Sequence, residues 1–152
     1  DLTMKEINGM MNKNGGLVVN GIKDSKNTKS GKPEIVGIND EIKSSNNDIE
    51  NYKNSIVSWL EIRFGRLALE LVDFDIVNDS ELTDGKNVLV FDVKASKELA
   101  IPMKANGPIE KKKSRNKPQI FIRSGVSTRE LIGYDERRNW ETLRFSRDYT
   151  NS

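Results

Sequence analysis

The sequence predicts an α+β fold, a single domain in which a mixed β-sheet carries flanking helices. Three observations predict it. The 152 residues suffice for one domain with a real core and are too few for two of comfortable size. The apolar spacing switches between helical and strand-like periods, in the order α-β-β-α-β-β-β-α. Neither an internal repeat nor a linker long enough to separate domains interrupts that order.

Leu2, Met4, Ile7, Met10 and Met11 fall at helical spacing, so an amphipathic helix is expected over Leu2 to Met11, stopped by Asn14-Gly15-Gly16. Leu17-Val18-Val19 and then Gly21-Ile22 read as a strand, Lys23 to Lys32 as a polar loop, and Glu34 to Ile38 as a second strand paired with the first in a hairpin. Asn39 or Asp40 can cap the next element. Ile42, Ile49 and Ile56 recur every seven residues, with Tyr52, Trp59 and Leu60 between them, until Arg63 ends the stripe. That pattern predicts one core-facing helix of about twenty residues. A strand is expected from Arg66 to Val77, then a turn at Thr83-Asp84-Gly85-Lys86. Asn87 to Ala95 is nearly continuous in apolar residues, which suits a central strand. After Ile101-Pro102 comes a basic loop, 103–118, closed by Pro118 and followed by a short strand from Gln119 to Arg123. Ser127-Thr128-Arg129-Glu130 has capping-box spacing and predicts the start of a C-terminal helix, with Leu131, Ile132, Trp140, Leu143 and Phe145 on its apolar side and an interruption at Gly133-Tyr134.

Charge and composition narrow the function. The formal net charge is only +2, yet Asp1 to Val93 holds 11 basic and 16 acidic residues, a net of −5, whereas Lys94 to Ser152 holds 14 basic and 7 acidic, a net of +7. With no Cys there is no disulfide framework, thiolate metal site or thiol nucleophile, and with no His there is no imidazole base or ligand. Chemistry within this chain would rest on carboxylates, Lys, Tyr, Ser or a hard metal. No apolar run approaches the roughly 18–20 residues of a membrane span, and no signal peptide is visible, so no membrane partner and a cytoplasmic location are expected. The chain opens on Asp, which reads as an N-terminally incomplete domain.

Lys94, Lys97, Lys104, Lys111, Lys112, Lys113, Arg115, Lys117 and Arg123 lie within thirty residues, against only Glu98 and Glu110. A basic loop between strands suits a nucleic-acid backbone, because phosphate contacts are electrostatic and need little exact geometry; a solvated surface loop is the alternative. No aromatic residue interleaves the run, and no recognition-helix, zinc-finger or RNA-recognition pattern is present, so base reading is not indicated. Arg123, beside a Ser-Gly turn and the expected helix start, could hold a phosphate with the backbone N–H groups of Ser127 to Arg129, or could pair with a carboxylate. Gly15 and Gly16 read as a helix stop and turn or as a point of ligand contact, and Gly21 as a bulge or a close approach.

Asn12-Lys13-Asn14-Gly15-Gly16-Leu17-Val18-Val19-Asn20-Gly21-Ile22-Lys23-Asp24 is similar to the Asn-Thr-x-Gly-Gly-x-Leu-Leu-Ile-Gly-Val-x-Asp stretch of Schlafen-type, AlbA-like DNA-binding domains. Glu34 to Ile38 resembles the x-Ile-Val-Gly strand that follows there. Val88 to Ser96, with Pro102, resembles the family's Val-x-Val strand, hydroxyl residue and later Pro. Phe121-Ile122-Arg123-Ser124-Gly125-Val126-Ser127-Thr128 matches Tyr-x-Arg-x-Gly-Ser-x-Thr in order and spacing, with Phe for Tyr and Val126 for Ser. The resemblance covers Asn12 to about Arg138.

It implies a nucleic-acid-binding module gripping DNA or RNA backbone through Lys94 to Arg129, as part of a larger bacterial regulatory or defence protein. A homo-oligomer or an attached ATPase or helicase module is a further expectation; the chain itself has no phosphate-binding loop, since Ser30-Gly31-Lys32-Pro33 is not one. Related domains include endoribonucleases that use three carboxylates and Mg²⁺ or Mn²⁺. Asp24 occupies the third carboxylate position, and the upstream pair is absent from this sequence, so catalysis by this chain alone is not expected and no cofactor is required. Asp24 as a turn residue is the plain alternative. A third reading is a protein-interaction or oligomerisation domain whose basic loop meets an acidic partner.

Overall fold

The computed structural model describes residues 2–66, 68–104, 107–108 and 119–131. The class is α+β. Helix α1 (Leu2–Met11) forms where the spacing places it and buries Met4, Ile7 and Met11, while Leu2 stays in solvent. After it come β1 (Gly16–Asn20) and β2 (Ile22–Lys23), then β3 (Glu34–Ile35). Only β2 pairs with β3. The expected hairpin is therefore confined to that short stem, because Gly21 (φ +104°) turns the chain out of β1. Val18 on β1 instead joins the core.

The single helix expected after Asn39 is two. Helix α2 (Asn39–Lys43) ends, Asn46 and Asn47 take left-handed φ values of 59° and 56°, and α3 (Ile49–Phe64) begins anew. Neither Asn39 nor Asp40 caps α2, which starts from Ile38 without a side-chain cap. The cap is Asp48 of α3, whose Oδ1 accepts the N–H groups of Glu50 (2.9 Å) and Asn51 (3.3 Å). Such a cap stabilises a helix by about 1 kcal/mol, enough to favour a restart where Ser44 to Asn47 are poor helix formers. Gly65 ends α3, and Ala68–Leu71, good helix formers, make a short α4 where a strand was expected. The strand β4 is confined to Val72–Val77.

β5 (Val88–Val93) is the central strand, in the order β1-β5-β4. All pairings among the described residues are antiparallel, so the mixed sheet of the expectation resolves into antiparallel ladders. Val18, Phe91 and Phe74 stand in one cross-strand row, and Val72 faces Val93. That inner face meets Ile7 and Met11 of α1 and Tyr52 and Leu60 of α3 to form the core. The outer face carries the row Leu17, Asp92, Asp73. Past β5 lie two small hairpins, β6 (Met103–Lys104) with β7 (Gly107–Pro108) and β8 (Phe121–Ser124) with β9 (Ser127–Glu130). The second corrects the expected helix start: Gly125 (φ +61°) and Val126 form a two-residue turn, and the chain after them returns as a strand. Glycine in the first turn position favours that hairpin, and the ladder of β8 then overrides the local capping-box signal. The rest of the expected C-terminal helix after Leu131, with Ile132, Trp140, Leu143 and Phe145, lies outside the described residues.

The loop between β4 and β5 is tied by Asp79, whose carboxylate accepts the N–H groups of Leu82 (2.9 Å) and Glu81 (2.8 Å). Those two bonds, Leu82 first, hold its carboxyl below the ordinary value of 3.8. A carboxyl lowered on folding adds stability above its unfolded value, and that contribution disappears as pH falls through the lower folded value. In an NMR titration the Leu82 amide resonance should therefore move with a midpoint below 3.8. A midpoint at or above that value would refute the tie.

Candidate nucleic-acid interface

Asn8 on α1 and Asn12, in the turn just past its end, lie four residues apart, joined by the Asn12 N–H to Asn8 carbonyl bond, and neither is exposed to solvent. Buried side-chain amides require partners, and these find them in the backbone of two distant segments. Asn8 Nδ2 donates to the Ala100 carbonyl at 2.7 Å, and its Oδ1 accepts the Phe121 N–H at 2.7 Å. Asn12 Nδ2 donates to the carbonyls of Ala100 (3.0 Å) and Phe121 (2.9 Å), and its Oδ1 accepts the Ala100 N–H at 2.7 Å. Both backbone groups of Ala100 and both of Phe121 are thus held by these two side chains at the end of α1. Residues 101–120, which contain most of the basic run, leave and return at the same place.

Two further contacts complete the platform. Gly9, between the asparagines, lets α1 lie directly on the β8–β9 hairpin: a Cβ there would stand 3.2 Å from the Arg123 nitrogen and 2.9 Å from Thr128 Cγ2. Lys5, one turn earlier, places Nζ 5.5 Å from the centre of the Phe121 ring. At the exit of β5, the Ser96 N–H donates to the Met11 carbonyl (2.8 Å) and Ser96 Oγ to the Glu98 carbonyl (2.6 Å). Three stretches of chain therefore converge on α1.

The expected basic residues are divided by this arrangement. Lys97 is exposed just before the clamp, and Lys104 lies on β6 just after it. Arg123 is half-buried on β8; its Nη1 donates to Thr128 Oγ1 at 3.5 Å, and it makes no ion pair among the described residues. The register pairs Arg123 with Thr128 and Arg129 with Ile122, so the two arginines occupy opposite faces of the hairpin. A phosphate cradle from Arg123 and a helix start at Ser127 to Arg129 is accordingly not built. Lys94 continues the alternation that points Asp92 outward, and so lies on the outer face of the large sheet rather than against α1. Lys111, Lys112, Lys113, Arg115 and Lys117 lie outside the described residues.

Gly15 (φ +74°) makes the turn from α1 into β1, its N–H donating to the Met10 carbonyl at 2.8 Å. A Cβ there would run into the Val93 carbonyl oxygen. Gly16 is packed under Met10, and Gly21 closely approaches Gly37, its carbonyl accepting the N–H groups of Val36 and Gly37. Asp24 is exposed, and its carboxylate accepts the Ser25 hydroxyl at 3.3 Å. Mg²⁺ and Mn²⁺ need several converging oxygens, and no group of three or more suitable side chains gathers among the described residues. The described residues thus do not fit such an ion. Among them, too, no helix is long and apolar enough to cross a membrane.

Sequence reasoning missed Asn8, Asn12, Gly9 and Lys5. A signal existed: two asparagines at i and i+4, each beside a buried apolar residue, Ile7 and Met11, on the core side of an amphipathic helix. Asn12 is also the leading residue of the Gly-Gly segment.

No curated protein and no solved structure matches this chain. A family model described as Schlafen, AlbA_2 matches residues 2–132, a span running from the first residue of α1 past the end of β9 and including both sides of the asparagine clamp. The chain belongs to the Schlafen, AlbA_2 family.

Proposed function

We propose that this chain binds nucleic acid, DNA or RNA, chiefly through phosphate contacts made by the basic residues between Lys97 and Arg129. The observation that carries the reading is the asparagine clamp. It gathers the two ends of a segment rich in lysine onto one rigid helix, with Lys97, Lys104 and Arg123 at its stems. A segment dense in cations releases counterions when it meets a polyanion, and that release drives binding. Membership of a family of nucleic-acid-related domains supports the same reading. Lys94 on the outer sheet face is a peripheral contributor in this scheme, and Asp24 has no part in it.

Titration with duplex DNA across a salt series tests the proposal. Affinity should fall as salt rises, and Lys111→Ala/Lys112→Ala/Lys113→Ala should reduce the log–log slope by about 2.7 if all three contact phosphates. Absence of binding to DNA and RNA at low salt would overturn it.

A further inference from the structure

The hairpin β8–β9 ends in a feature that backbone binding alone does not use. Val126 sits at its tip and is 92% exposed, more than any other large apolar residue described. Packing gives no reason for a valine there. Ser124, Gly125 and Ser127 around it are exposed as well, and the ladder behind them is held by α1 through Gly9 and by Asn8 and Asn12 through Phe121. The tip is thus an exposed two-residue turn on a ladder that α1 holds in place. It extends about two residues beyond the Arg123–Thr128 pair, or roughly 7 Å.

We propose that this hairpin tip enters the major groove of B-form DNA, a step that rests on the nucleic-acid reading above and names its target. A two-stranded ribbon fits a groove about 12 Å wide and about 8.5 Å deep. Arg123 and Arg129 lie on opposite faces of the ladder, with α1 on the Arg123 face, so the part that enters the groove is the tip from Ser124 to Ser127, and the positive field of the hairpin stays behind it at the level of the phosphates. The methyl groups of Val126 then meet the groove floor, where the thymine C5-methyl is the complementary apolar group. The hydroxyls of Ser124 and Ser127 flank that contact, suited to base edges of either donor or acceptor type. A-form RNA closes this route, because its major groove is deep and too narrow for side chains to read.

The test titrates the full chain at low salt with a thymine-rich DNA duplex, the same duplex with uracil for thymine, and the corresponding RNA duplex, each with wild type and Val126→Ser. Wild type should prefer DNA to RNA and lose about fourfold on the uracil duplex, the worth of one methyl contact. Val126→Ser, at a fully exposed turn position, should bind both DNA duplexes alike. Equal binding of all three duplexes by wild type, or tighter binding of RNA, overturns the groove assignment and leaves phosphate binding standing. Failure to bind any duplex overturns both.

Discussion

Asn12→Ala is expected to lower the unfolding free energy by about 3 kcal/mol. The side chain is not exposed, and its amide makes contacts to Ala100 and Phe121. Without it the Phe121 carbonyl loses its side-chain partner in the buried interior, and the half-buried Ala100 N–H loses its own. The Ala100 carbonyl fares better, since Asn8 still donates to it. A buried polar group left unpaired costs about 1–3 kcal/mol, so the Phe121 carbonyl, with a smaller share from the half-buried Ala100 N–H, places the variant at the upper end of single-site effects. Chemical denaturation measures this directly. Because Asn8 and Asn12 hold the same two residues, Asn8→Ala and Asn12→Ala should be non-additive in a double-mutant cycle. A loss below about 0.5 kcal/mol for Asn12→Ala would show that the clamp contributes nothing that water cannot replace.

Gly15→Ala should be as damaging, for a different reason. The residue has φ +74°, and a Cβ would run into the Val93 carbonyl oxygen, part of the backbone of the central strand. Left-handed φ alone costs an alanine about 1–2 kcal/mol. Displacing backbone adds to it, and a total of about 3 kcal/mol or more is expected. Gly125→Ala supplies the control: φ is +61°, yet nothing lies within 4 Å of the added carbon, so only the conformational cost of about 1–2 kcal/mol should appear. Equal losses at the two positions, read by thermal denaturation, would remove the steric argument for Gly15.

What the sequence disclosed was what local signals determine. The stop of α1 before Gly15 and the central place of Val88–Val93 follow from a glycine that must take positive φ and from a strand apolar on both faces. What it concealed was decided by partners far along the chain. Ile42, Ile49 and Ile56 keep a seven-residue spacing across a break, and only the left-handed Asn46 and Asn47 and the capping carboxylate of Asp48 reveal two helices. Ser127 to Glu130 carries a helix-start pattern, but pairing with Phe121 to Ser124 makes it a strand. The role of the asparagines was hidden for the same reason, although their i, i+4 spacing beside Ile7 and Met11 was there to be read. A polar residue in a helix reads as solvent-facing until its partners, about a hundred positions away, are in place. Of the basic residues the sequence identified the run, and the fold sorted it, placing Lys94 on the outer sheet face and the two hairpin arginines on opposite faces of their ladder.

The central claim is that the α1 platform, with the segment it anchors, is the gripping surface. Chemical-shift mapping of the isotope-labelled chain with a short DNA duplex tests it most directly. Perturbations should concentrate at Lys97, Arg123, Ser124 to Ser127 and Arg129, and on the lysines between Lys104 and Lys117, while Asp73 and Asp75 of β4 stay unchanged. Perturbations centred on Asp73, Asp75 and Asp92, with the hairpin and the lysine segment silent, would contradict it.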